Sequence, residues 1–340
     1  MDLPIPSSGT LQPRYRRVLS FGDVLDESIR LFRQHWSTFA LVSAVAFLVP
    51  GLLTVALSAY GLLGRTNFDF AELSRGVVPQ SSNSPPQLVA LTAAGILSGL
   101  FYVIWSAAVT AATEVYMRGG EPKLSSVYRR ALRRFFTVLI GTIVLTLGVS
   151  VLTAIAVVLF VITLFGILGI VVALVALLIW WLSPGARKPW VRWLVILAMP
   201  FGLPTYYGVR WSLFVAAAVL ERRGPIASLV RSSELVERHF FRVLCILTVS
   251  SVIVGVLLYA PAALIEVPLL ISSASRGQLG VAPIEAAIIN AVTLVLRILV
   301  ESVGVIVYTV MFIDLRNRRE GTDMAERLTQ LEALPVTPGG

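Results

Sequence analysis

The chain has 340 residues, 56% of them hydrophobic and 14% charged, with a formal charge of +9. Soluble domains carry about 25% charged side chains, and a mean hydropathy of +0.83 implies more apolar surface than one water-soluble core can bury, so the bilayer is the solvent for much of the chain. Arginine carries the charge and sits beside apolar runs, which points to an anionic membrane surface as partner rather than nucleic acid. The single cysteine, Cys245, excludes an intramolecular disulfide, and any metal site would need other ligands.

In chain order, residues 1–17 are polar and proline-containing, with no apolar core or cleavage site of a signal peptide. They read as a disordered cytoplasmic start. From Ser20 the stretch SFGDVLDESIRLFRQHW places Phe21, Val24, Leu25, Ile29 and Phe32 on one helical stripe, with Ser20 and Asp23 set as cap and N3 partner. An apolar run follows from Trp36 to Leu63. Residues 64–87 are rich in serine, proline and asparagine and nearly balanced in charge, which suits the outside. Leu88 to Tyr116 is the second run, with a G-x-x-x-G at Gly95 and Gly99 that predicts close helix contact.

A second amphipathic stretch begins near Pro122. Leu124, Val127, Tyr128, Ala131, Leu132 and Phe135 form its stripe, and Arg129, Arg130, Arg133 and Arg134 cover the other face. The run Phe135 to Leu182 is long enough for two crossings with a bend near Thr163 to Gly169. Val191 to Leu220 contains Pro200 and Pro204. The third amphipathic stretch starts at Gly224–Pro225 and leads through His239 into Phe240 to Ile271. Ile284 to Ile313 is the last run, and residues 321–340 form a polar cytoplasmic tail.

Three stretches therefore share one plan: a turn signal, an arginine-studded helix, then a span. The second spans match too, because Trp105–Ser106 in FYVIWSAAVTAATEVYMRGGEP aligns with Trp211–Ser212 in YYGVRWSLFVAAAVLERRGP. The expected fold is all-α integral membrane: three repeats of amphipathic helix plus two spans, at residues 20–120, 121–223 and 224–320, in one domain over 18–320. Four basic clusters hold 20 of the 28 lysines and arginines, and the positive-inside rule places all four in the cytoplasm. That requires even crossing numbers between clusters. Six spans follow from the repeats; eight follow if Ser183 to Pro189, flanked by Trp180, Trp181, Trp190 and Trp193, lies inside.

The stretches VLSFGDVLDESIRLFRQHW, YYGVRWSLFVAAAVLERRGPIASLVRSSELVERHFFRV and YTVMFIDLRNRREGTDMAERL resemble the membrane domain found with bacterial glycerophosphoryl diester phosphodiesterases and its stand-alone relatives. The resemblance implies a membrane module; the expected location is the cell (inner or plasma) membrane, and the basic clusters put both termini in the cytoplasm. It implies no hydrolase, because that family's catalytic barrel has no counterpart here. His35 and His239 occupy matching positions just before spans and read as interfacial anchors, not a catalytic pair.

Ionisable residues inside apolar runs are the candidates for function. Arg210, Glu266, Arg297 and Glu301 form the candidate intramembrane polar site or ion pairs. Arg297 and Glu301 are spaced to pair within one helix, and Arg210 is set to pair with Glu301 or Glu266. Glu114 sits near a span end, and Asp314 with Arg316 marks the end of the last helix. The candidate lipid-headgroup surface is Arg30, Arg33, Arg129, Arg130, Arg133, Arg134, Arg231 and Arg238. Neither cofactor nor metal ligand set is expected, and the expected partners are anionic lipids and other membrane proteins. Three functions compete: a non-enzymatic scaffold, accessory or envelope-related module; a transporter or lipid-handling protein with a polar site between repeats; and, ranked last, a membrane-embedded enzyme.

Overall fold

A computed structural model describes residues 19–61, 85–162, 202–275 and 282–320. Among them there are helices and connecting turns and no strand. The chain is an all-α membrane protein: five described helices are long and apolar enough to cross a bilayer, namely Trp36–Ala59, Gln87–Met117, Phe135–Val157, Phe240–Ser272 and Pro283–Arg319. The bend at Thr163 to Gly169, the Ser183 to Pro189 loop with its tryptophans, and hence the choice between six and eight crossings lie outside the described residues. So do the two terminal segments and most of the 64–87 loop.

The helices are α1 Phe21–Gln34, α2 Trp36–Ala59, α3 Pro85–Met117, α4 Leu124–Arg133, α5 Phe135–Ile162, α6 Gly202–Trp211, α7 Phe214–Leu220, α8 Pro225–Glu237, α9 Phe240–Ser275, α10 Pro283–Val300 and α11 Ser302–Glu320. The repeat plan is visible in the order. Each amphipathic helix (α1, α4, α8) runs into a long apolar helix (α2, α5, α9) after a break of one or two residues, at His35, Arg134 and Arg238–His239.

Local signals explain the helix starts. Ser20 accepts from the Asp23 amide at 3.2 Å while the Ser20 amide donates to the Asp23 carboxylate at 2.9 Å, the reciprocal cap that the spacing predicted. Pro225 occupies the first turn of α8. Pro122 sits near the start of α4, one residue before the Lys123 cap position, and the helix runs from Leu124.

Contacts group the chain into two units, residues 1–135 with 245–340, and residues 136–244. The boundaries differ from the repeat boundaries because α4 leaves the middle repeat to pack on α3 of the first. In the first unit, α2 packs along α10 and α3, α3 also meets α11 and α4, and α1 lies on α11. One end of this unit is basic. At the other end Gln87 Nε2 donates to the Gly61 carbonyl at 3.3 Å, and a Cβ on Gly61 would stand 3.5 Å from Pro283. The ends of α2, α3 and α10 therefore meet there. In the second unit α8 folds back along α6 and α7. Two glycines of α5 leave room for aromatic rings: a Cβ on Gly141 would come within 2.8 Å of the Phe214 ring, and one on Gly148 within 3.0 Å of Trp211.

The close contact expected at G-x-x-x-G is not seen among the described residues: Gly95 and Gly99 are exposed, and no described atom lies within 4 Å of a Cβ added to either. They sit on the outward face of α3, where leucine and isoleucine neighbours such as Leu91 and Ile96 are also exposed. The amphipathic helices divide their stripes. Val24 and Leu31 of α1, Val127 and Ala131 of α4, and Leu229 and Leu235 of α8 are buried against protein, while Phe21, Leu132, Ile226 and Val230 remain exposed.

Candidate functional site

The first unit carries a polar seam between α2, α3 and α10. Pro50 interrupts α2 and removes the amide that would have served the Ala46 carbonyl. The hydroxyl of Thr54 turns back to the Pro50 carbonyl at 2.8 Å, and Ser58 does the same to Thr54 at 2.8 Å. Asn290 of α10 donates its amide to Ser58 at 2.8 Å, leaving its carbonyl oxygen as an acceptor. Deeper in, Trp105 of α3 donates to Ser43 at 3.0 Å.

At the base of the seam Arg297 makes a bidentate pair with Glu301: Nε to Oε2 at 2.7 Å and Nη2 to Oε1 at 3.1 Å. The i,i+4 pairing expected from spacing is present. The guanidinium lies over the Phe47 ring, 4.8 Å from its centroid. The long helix breaks beside this pair, between α10 and α11. There Gly304 bonds to the Glu301 carbonyl in a tighter turn at 3.3 Å, and the buried Ser302 hydroxyl has no partner among the described residues. A cavity of about 80 Å³ opens above the pair, lined by Ser98, Asn290, Thr293 and Arg297 among others.

The remaining candidates are dispersed. Arg210 lies in the second unit and finds its partners there: Nη1 donates to the Tyr206 hydroxyl at 2.8 Å, and Nη2 is 3.9 Å from Glu237. Its partners within this unit are a phenol on its own helix and the carboxylate that ends α8. Glu266 is exposed on α9. His35 stacks on Tyr116 with centroids 3.8 Å apart, in keeping with an anchoring place at the α1–α2 joint.

Three acids at the basic ends of the second spans form a pattern that sequence reasoning passed over. Glu114, near the end of α3, is buried, accepts a hydrogen bond from Arg118 at 2.6 Å and forms an ion pair with Arg130 of α4 at 2.5 Å. Glu221, just past α7, accepts from Arg223 at 2.7 Å and from Arg231 of α8 at 3.0 Å. Asp314 of α11 is 1% exposed, accepts the Leu19 amide at 2.7 Å and pairs with Arg318 at 3.0 Å, while Arg318 also donates to the Leu19 carbonyl. Each acid thus ties down an amphipathic helix: α4, α8 and, closing on the start of the chain, α1. The signal was available as an acid near the end of each of these helical stretches, with an arginine within four residues after it.

This corrects the headgroup assignment for two residues. Arg231 is buried and committed to Glu221, and Arg130 is half-buried on Glu114. Arg33, Arg129, Arg133 and Arg238 are exposed; Arg30 is exposed and pairs with Glu27; Arg134 is half-buried. Tyr128 of α4 donates to the Val42 carbonyl at 2.6 Å, and burial pushes its hydroxyl up to about 12 from an ordinary value of 10.0. Among the described residues no group of His, Cys, Asp and Glu could hold a metal ion. No family model, curated protein or solved structure matches the chain.

Proposed function

We propose that this chain is a non-enzymatic membrane module of the kind it resembles, the membrane domain found with bacterial glycerophosphoryl diester phosphodiesterases. In this reading it sits in the inner membrane with both termini and the basic ends in the cytoplasm. It binds anionic headgroups there and serves as a scaffold or accessory part for other membrane proteins. The observation that carries the reading is the division of the arginines. Those facing Glu114, Glu221 and Asp314 (Arg118, Arg130, Arg231, Arg318) are committed to ion pairs within the protein. Arg33, Arg129, Arg133 and Arg238 stay exposed on or beside helices that also expose Phe21, Leu132 and Ile226. Exposed arginine beside exposed apolar side chains suits the headgroup layer.

The test is native mass spectrometry of gently purified protein. An arginine at an anionic leaflet is worth about 1 kcal/mol. The chain with all four exposed arginines changed to glutamine is therefore expected to lose bound anionic phospholipid that the parent retains. An unchanged lipid complement would falsify the reading. A second reading, a transporter or lipid-handling protein, draws on the cavity beside Arg297.

A further inference from the structure

We propose that the cavity between α2, α3 and α10 is a hydrated vestibule that brings water from the non-basic end of the first unit to the Arg297–Glu301 pair. Depth comes first. Phe47, under the guanidinium, is eleven residues into α2 from Trp36, or about 16 Å along a helix at 1.5 Å per residue. The hydrocarbon layer is about 30 Å thick, so the pair lies near its middle. The Arg297 side chain is nevertheless 39% exposed, and a guanidinium exposed to acyl chains at that depth is costly.

Unmet hydrogen-bonding capacity supplies the second argument. Glu301 engages Nε and Nη2 of Arg297, and Nη1 has no partner among the described residues. Ser98 and Thr293 also line the cavity, and neither hydroxyl makes a hydrogen bond among the described residues. This contrasts with Thr54 and Ser58, whose hydroxyls turn back to their own helix. Three donors and the free carbonyl of Asn290 therefore converge on about 80 Å³. That is enough for a few waters and too little for a lipid headgroup with its glycerol. The Asn290–Ser58 bond crosses the route to the non-basic end and acts as its gate.

Thiol accessibility to silver ions tests this in Cys245→Ala chains reconstituted in vesicles. Blocking of later alkylation is counted by mass. Ser98→Cys and Thr293→Cys are expected to react from the non-basic face only. They should do so about tenfold faster than Val295→Cys on the lipid side of α10, since only a hydrated thiol forms the reactive thiolate. Asn290→Ala should speed both. Rates equal to that of Val295→Cys, or access only from the basic face, overturn the proposal. Should the cysteine chains not fold, hydroxyl-radical footprinting of the parent decides: oxidation of Phe47 and Leu294 no faster than Val295 rejects the vestibule.

Discussion

Arg297 shows how one side chain is kept charged within an apolar run. Its fork matches the Glu301 carboxylate, and its face rests on Phe47. Removing either partner leaves the other with only the cavity water to solvate it. Arg297→Leu and Glu301→Leu are each expected to lower the melting temperature in detergent, by the equivalent of about 1–3 kcal/mol, discounted from fully buried pairs for the exposure of the guanidinium. The double leucine chain should recover most of the loss; equal damage in single and double chains argues against a pair. Tyr128 offers a pH test. Its folded value lies near 12 against an ordinary 10.0, so below pH 10 both states keep the proton. As pH rises from 10 toward 12 only the unfolded chain ionises, and stability is lost over that window. Alkaline melting curves of Tyr128→Phe should lack this component.

Between elements, the recurring device is an acid at a span's end gripping a surface helix. A hydrogen bond to a charged group is worth about 1.5–3 kcal/mol. Asp314→Asn should therefore raise amide exchange in α1 and leave α8 protected, and Glu221→Gln should do the reverse. Parallel changes in both helices would show that the anchors are not separate. In the second unit α5 is shaped by absence: Gly141→Ala drives a methyl into the Phe214 ring, and a cost of about 1–3 kcal/mol is expected from melting curves. Element type was legible in the sequence because both periodicity and span length are set by one side chain at a time. The anchors were less legible, because Asp314 and Leu19 are 295 positions apart and only the fold brings them together. The Gly95–Gly99 spacing describes a face and says nothing of what covers it; among the described residues nothing does.

Across the whole chain, the repeat plan and the contact units disagree in an instructive way. Repeats begin with an amphipathic helix, yet α4 packs on the span before it in sequence and α1 on the last helix, α11. The polar site was half legible. Arg297 with Glu301 follows from spacing, whereas the seam of Ser58, Ser98, Asn290 and Thr293 needed three helices to assemble, and isolated hydroxyls in apolar runs carry little signal. Glu266 and Arg210 looked equivalent to the pair by hydropathy alone. One is exposed on α9, and the other is held by Tyr206 and Glu237.

The grip of Asp314 on Leu19 also sets an order of events during synthesis. The first surface helix leaves the ribosome long before its anchor exists, so α1 must wait, unfastened, until α11 is made. A chain that stops early never fastens it. Its apolar stripe, with Val24 and Leu31 on it, then has no last helix to pack on.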